Sequence, residues 1–250
     1  MNVLSLFAGI GGLELGLERA GMTVVGQVEI NPFCRTVLEK HWPTVPKHDD
    51  VNTAMEWWTS EPRPRVDLIC GGYPCQPFST AGNMLGTNDE RHLWPVFADI
   101  VRGIQPDYAV LENVPTHLGI GFDRVLSDLA ELGFDAEWSL VRAADVGAPH
   151  RRPRLFVLAY SNKLKPLRRS GLPVFSGSGW NENQVSDTHR CRSHVGRETD
   201  AKSWPVEPDV GRMADGFSRG MDRHRLYALG NAVVPKVAEF IGRSLLGVVR

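Results

Sequence analysis

Residues 2–20 read NVLSLFAGIGGLELGLERA. The apolar run Val3–Leu6 predicts a buried strand, Gly9, Gly11 and Gly12 a tight turn, and Leu13, Leu17 and Ala20 one face of a helix. A strand feeding a helix through a glycine turn opens a βα unit, and the helix start offers unpaired N–H groups and a positive dipole end. The pattern repeats outward. TVVGQVEI (23–30) predicts a second strand, and PFCRTVLEKHW (32–42) a second helix with Pro32 at its start. KHDDV (47–51) closes a short third strand. VDLICGG (66–72) is continuously apolar, as in a strand buried on both faces. A helix follows over 92–104 with Pro95 in its first turn, then a strand at YAVLENV (108–114). A helix over 122–134 ends at Gly133 as C-cap, and RLFVLAY (154–160) is the last strand of this half. Such βα units predict an α/β fold with a doubly wound, mostly parallel sheet.

From Ser161 to Ala228 apolar periodicity fades, and Gly, Ser and Asn predict loops. VVPKVAEFIGRSLL (233–246) then resumes a helix. The expected division is a catalytic domain over 1–160 and 229–250, with a small irregular lobe over 161–228. The 250 residues suffice for one sizeable core, and no apolar run approaches the roughly 20 residues that cross a bilayer. The N-terminus lacks the basic start of a secretory signal. Four cysteines (34, 70, 75 and 191) make no C-x-x-C pair, so a cytoplasmic location is expected. A net charge of −1 argues at first against a nucleic-acid partner. The total conceals a division: residues 161–228 hold twelve Lys and Arg against eight Asp and Glu, net +4, and the remainder carries −5.

Two regions carry chemistry. Glu29 ends the second predicted strand 20 residues after Gly9, where a carboxylate can accept both hydrogen bonds of a ribose diol. Leu15 stands where a dinucleotide fingerprint wants its third glycine, so a nicotinamide cofactor fits less well than S-adenosylmethionine (SAM). Asp50, read as ending the third strand, is either an acceptor for an adenine amino group or a solvated loop carboxylate. On the reacting side, Gly71-Gly72-Tyr73-Pro74-Cys75-Gln76-Pro77 is a turn after a buried strand, presenting the Cys75 thiol to the same crevice. Cys34 and Cys70 read as small core residues. Glu112 sits at the neighbouring strand tip. A thiol and a proton-carrying carboxyl beside a methyl donor suit attack on an electron-poor ring.

The ordered set FAGIGG (7–12), Glu29, Asp50, GGYPCQPFS (71–79), NDERHLW (88–94), LENV (111–114), HRRPRLFV (150–157) and GNAVVP (230–235) resembles the cytosine-C5 DNA methyltransferases. The resemblance covers residues 1–160 and 229–250. It implies a Rossmann-like SAM-dependent fold, a small target-recognition region within 161–228, and double-stranded DNA as substrate. Implied catalytic residues are Cys75, which adds to cytosine C6, Glu112, which protonates or bonds N3, and Arg152 and Arg154. Both arginines, taken as lying on one strand and one face, would lower the thiol pKa and hold the base. Phe7, Gly9, Gly11, Glu29, Asp50, Val51, Pro74 and Leu93 are implied to line the SAM site, with Asn231 and Val233 closing it. Gln76, Ser79 and Asn113 are implied substrate contacts, and no metal is expected.

The resemblance also implies a flipped base, a mobile loop over 76–86, a monomer, and a possible companion restriction endonuclease, or a solitary or phage enzyme. Three features depart from the family pattern. His150 stands for the glutamine of Q-x-R-x-R. The stretch before GNAVVP lacks the long helix-forming motif of many relatives. The recognition segment is short. Within it Lys163, Lys165, Arg168, Arg169, Arg190, Arg192, Arg197, Arg223 and Arg225 are candidate phosphate or base contacts, whereas His189, Cys191 and His194 lack a fourth ligand at finger spacing. Trp57 and Trp58 read as helix packing. The rivals are a tRNA cytosine methyltransferase, disfavoured because a second cysteine signature is missing, a DNA-binding module with a dead core, and a nicotinamide oxidoreductase.

Overall fold

The computed structural model describes residues 1–74, 93–164 and 219–247. Seven strands form one sheet in the order β3-β2-β1-β4-β5-β7-β6. They are β1 (Asn2–Leu6), β2 (Thr23–Val28), β3 (Lys47–His48), β4 (Leu68–Gly71), β5 (Tyr108–Asn113), β6 (Phe134–Val141) and β7 (Arg154–Ser161). The pairings among β1 to β5 are parallel, and β7 runs antiparallel to both of its neighbours. The mostly parallel, doubly wound sheet is therefore present. The hairpin partner β6 was not expected: FDAEWSLV places acidic and polar residues within the strand, and only its ends are fully buried. An edge strand with little burial leaves a weak apolar signal.

Side chains alternate across the sheet and build two cores. On one face Leu4, Leu6, Ile69, Ala109, Leu111, Leu155 and Val157 pack with α3 (Ala54–Thr59), α4 (Trp94–Ile104) and α5 (Phe122–Glu131). On the other, Val3, Leu68, Cys70, Val110, Phe156 and Leu158 pack with α1 (Gly12–Arg19) and α7 (Pro235–Leu245). Helices α1, α4 and α7 bury apolar stripes: Leu13 and Leu17 on α1, as predicted, Phe97, Ile100 and Val101 on α4, and Val237, Ile241 and Leu245 on α7. Pro95 sits in the first turn of α4, where its missing N–H costs nothing, and Pro32 does the same for α2 (Pro32–His41). In α5, Leu132 is the C-cap, and the expected Gly133 follows it at φ +82°.

The C-terminal segment packs closely on α1. A methyl group on Gly12 would meet the Val233 carbonyl oxygen at 2.3 Å, and one on Gly16 the Pro235 carbonyl at 2.3 Å. Residues far apart in sequence thus need glycine in α1 so that α7 can lie against it. The stretch before GNAVVP, read as lacking the long helix-forming motif of many relatives, runs into α6 (Arg219–Asn231). Its side chains are mostly exposed from His224 onward, so no apolar stripe marked it. The expected boundary at residue 228 falls inside this helix.

Candidate active site

A cavity of about 540 Å³ opens at the carboxyl ends of β1, β2, β4 and β5, beside the point where the strand order reverses. Its first wall is the turn after β1, where Phe7, Gly9 and Gly11 all have positive φ. Glu29, just past β2, closes this turn. Its Oε2 accepts from Gly9 N at 2.7 Å and its Oε1 from Asn31 N at 2.8 Å, so both carboxylate oxygens are held in place by backbone donors. The Asn31 side chain in turn caps α2 by accepting from Phe33 N and Cys34 N. Asp50 does not end β3, which is only two residues long. It caps the short 3₁₀ turn Val51–Thr53, its Oδ1 accepting from Asn52 N at 2.9 Å. Polar carboxylates and the apolar Ile30 and Val51 therefore flank the same space, and Ile30 keeps 74% of its surface exposed.

The second wall carries the ionisable chemistry. Glu112, near the end of β5, is buried and paired through Oε1 with Arg154 Nε at 3.0 Å. Burial pushes its carboxyl up to about 7, against the downward pull of Arg154 and Arg152. It is thus able to hold a proton near neutrality although a guanidinium touches it. A methyl group on Gly72 would stand 2.7 Å from Glu112 Oε2, so glycine is what leaves this carboxyl its room. Asn113 donates from Nδ2 to Tyr73 O at 3.3 Å and accepts Val114 N at 2.9 Å, tying the β4 and β5 ends together. Cys34 also lines the cavity, but burial and Glu29 raise its thiol to about 11, so it is a packing residue. Cys70 is wholly buried, as expected of a core cysteine.

The cavity brings together Phe7, Gly9, Glu29, Asp50, Val51 and Pro74. Leu93, Glu112, Asn113, Arg154 and Asn231 also line it. Gly11 and Val233 are not among its lining residues; Gly11 lies against Trp42 and Val233 against Gly12. Cys75, Gln76 and Ser79 lie outside the described residues, as do the 76–86 segment, the 165–218 part of the basic lobe, and His189, Cys191 and His194. Arg152 departs from expectation. It precedes β7 with φ +36°, and its Nη2 donates to Gly230 O and to Ala232 O, the latter at 2.9 Å. Pro153 between the two arginines cannot extend the strand ladder, so Arg152 and Arg154 turn to different tasks. Arg152 clamps the C-terminal segment and Arg154 faces Glu112. Lys163 turns toward the sheet domain, donating to Gln105 Oε1 at 2.8 Å.

Sequence reasoning missed Tyr73, Tyr227 and Asn31 as cavity residues. Asn31 was readable as a cap before Pro32, but nothing in the α6 pattern announced Tyr227. His224 of α6 stacks on Phe33 at 6.0 Å, which sets that helix beside the cavity. Trp57 and Trp58 do pack: Trp58 is buried, and Trp57 stacks on His48 with the Arg63 guanidinium 4.6 Å from its centroid. Among the described residues no helix is long and apolar enough to cross a membrane, and no cluster suited to a metal is found.

The profile of the C-5 cytosine-specific DNA methylase family matches residues 1–204. Type II methyltransferase M2.BsuMI of Bacillus subtilis is 36% identical, over 98% of this chain and 75% of its own length. That alignment spans 301 positions, more than the chain's 250 residues, so the relative carries extra segments inside the matched region. Type II methyltransferase M.NgoMIV of Neisseria gonorrhoeae is 36% identical over 64% of this chain, which spans about half (52%) of that protein. Among solved structures, a DNA modification methyltransferase encoded within a prophage (E. coli) matches with TM-score 0.56 and 29% identity, over 67% of this chain and 49% of that one. A mutant of Spodoptera frugiperda DNMT2 matches with TM-score 0.53 and 26% identity, over 66% and 51%.

Proposed function

The chain belongs to the C-5 cytosine-specific DNA methylases, and from that premise we propose that it transfers a methyl group from SAM to C5 of a flipped cytosine in a specific duplex sequence. The observation that carries the reading is Glu112, a buried carboxyl raised to about 7 at the edge of the cavity that also holds Glu29 and Asp50. The cavity fits SAM in size and in donor set. Glu29 and Asp50 suit the ribose and adenine, Ile30 and Val51 offer apolar faces, and Phe7, Gly9, Pro74, Leu93 and Asn231 complete the wall. When bound, SAM supplies an electrophilic methyl group at its sulfonium.

The chain's own residues prepare the base. Cytosine C5 is a weak nucleophile. The Cys75 thiolate bonds to C6, and the displaced electron pair makes C5 enamine-like while Glu112 gives its proton to N3. After methylation, loss of the C5 proton to a base, departure of the Cys75 thiolate and return of the N3 proton to Glu112 restore the neutral aromatic ring. Arg154, held against Glu112, orients that carboxyl and contributes positive charge beside the base. Gln76, Ser79 and Asn113 are the proposed contacts to the target nucleotide. The basic part of 161–228 is the proposed DNA-reading region, in a monomer, with a companion endonuclease where the enzyme belongs to a restriction–modification system. A cytoplasmic location follows from the need to keep a nucleophilic thiol reduced.

Expression in a host free of 5-methylcytosine, followed by base-resolution mapping, tests the reading. The expected result is 5-methylcytosine at one short sequence, and none with Cys75→Ser. Active protein that modifies tRNA and leaves duplex DNA untouched would sink it.

A further inference from the structure

We propose that His117 is a positioning residue for methyl transfer, holding the Tyr73–Pro74 wall of the cavity against the β5 tip that carries Glu112. The inference rests on the methyl-transfer reading above. His117 lies in the 3₁₀ turn Pro115–Gly119 that follows β5, and its side chain is wholly buried. Its Nδ1 is 2.9 Å from Ile120 O and its Nε2 is 2.7 Å from the Tyr73 hydroxyl. A carbonyl oxygen can only accept, so Nδ1 carries the proton. The bare Nε2 then accepts the Tyr73 O–H. The neutral imidazole is thereby assigned a single tautomer, and both of its nitrogens are used.

The consequence is transmitted along the backbone. Tyr73 is buried, and its ring packs edge-on against His117 and Phe97 and at a tilt against Trp94. Its carbonyl accepts from Asn113 Nδ2, the residue next to Glu112. Pro74 follows on the cavity wall, and in sequence the next residue is Cys75. The segment leading to the nucleophile is therefore pinned twice, by Asn113 at the main chain and by His117 at the side-chain tip. Two groups that must reach opposite sides of one cytosine ring share this anchor. An apolar aromatic at 117 would keep ring contacts with Tyr73 and Phe122, so the hydrogen bonds to Tyr73 and Ile120 are what histidine adds.

The test uses the full chain and a duplex carrying the mapped methylation sequence. Single-turnover methyl transfer, SAM affinity and melting temperature are compared for wild type, Tyr73→Phe, His117→Phe, His117→Gln and the double phenylalanine variant. Loss of register at a reacting group costs far more rate than affinity, so Tyr73→Phe and His117→Phe are each expected to slow transfer about tenfold with SAM affinity unchanged. The double variant is expected to be no slower than His117→Phe, which already removes the Tyr73 bond together with the Ile120 one. His117→Gln, whose Oε1 can accept the Tyr73 proton, is expected to recover most of the rate. The proposal is overturned if the folded single variants, Tyr73→Phe being the milder, transfer at the wild-type rate while melting lower. Wild-type protein that transfers nothing to duplex DNA overturns the methyl-transfer reading, and this inference with it.

Discussion

The role proposed for Glu112 needs a proton held beside a guanidinium, and burial is what allows it. Its carboxyl titrates near 7, so the proton-bearing form dominates below that pH and is lost above it. The Cys75 thiolate has the opposite need and gains with rising pH. Transfer is therefore expected to follow a bell whose falling limb, centred near pH 7, is set by Glu112. Glu112→Gln keeps a donor for N3 but supplies no proton. It is expected to slow single-turnover transfer by roughly 10²- to 10⁴-fold and to abolish that falling limb. A retained falling limb would assign it to another group. Gly72→Ala, whose new methyl crowds Glu112 Oε2, should reduce transfer in the same assay while leaving SAM binding intact.

At the scale of elements, the C-terminal segment is tied to the cavity wall by contacts that join distant parts of the chain. Arg152 bridges the carbonyls of Gly230 and Ala232, and Asn231 between them lines the cavity. Hydrogen bonds from a charged donor contribute about 1.5–3 kcal/mol each where they are partly buried. Arg152→Ala is expected to weaken SAM binding about tenfold by calorimetry, equivalent to about 1.4 kcal/mol. An unchanged affinity would return Arg152 to a role toward DNA. The contrast between elements explains what was legible. Helices α1, α4, α5 and α7 bury a full stripe against the sheet, and each was readable from its spacing. Strand β6 is mostly half-buried and helix α6 is mostly exposed from His224 onward, so hydrophobic periodicity had little to report. Arg152 was misplaced for a local reason, since Pro153 ends the ladder one residue before β7 begins.

Across the whole molecule, the buried carboxyl of Glu14 weighs on stability. It stands in the first turn of α1, above a row in which Gln27, Ser5 and Cys70 are neighbours on adjacent strands. Burial raises it from 4.5 to about 7, against a smaller pull from the Ser5 hydroxyl. The folded state binds this proton more tightly than the unfolded chain. The stabilisation is complete below about pH 4.5 and is lost as pH rises through 7, a cost of about 3 kcal/mol at alkaline pH. Glu14→Gln should therefore be more stable than wild type in urea at about pH 8, with the gap closing near about pH 5. A gap independent of pH would show that Glu14 is ionised in the fold. The charge distribution also belongs to this scale. A total of −1 divides into −5 on the catalytic portion and +4 on residues 161–228, and phosphate is attracted by the local field.

The strands and helices other than β6 and α6, the glycine turn, Glu29 in register with it, and the family were all written in local patterns. Burial of a whole face, turn chemistry and motif order are properties of short stretches, and a linear reading captures them. Other features arise only where distant segments meet. Gly12 and Gly16 are small because α7 lies on α1, Gly72 is small because Glu112 needs the space, and Arg152 serves residues 230 and 232. The proton affinity of Glu112 and the Tyr73–His117 bond belong to the same class. Desolvation, close approach and the hydrogen bonds of a buried ring depend on what surrounds a side chain in space, and no spacing along the chain encodes that.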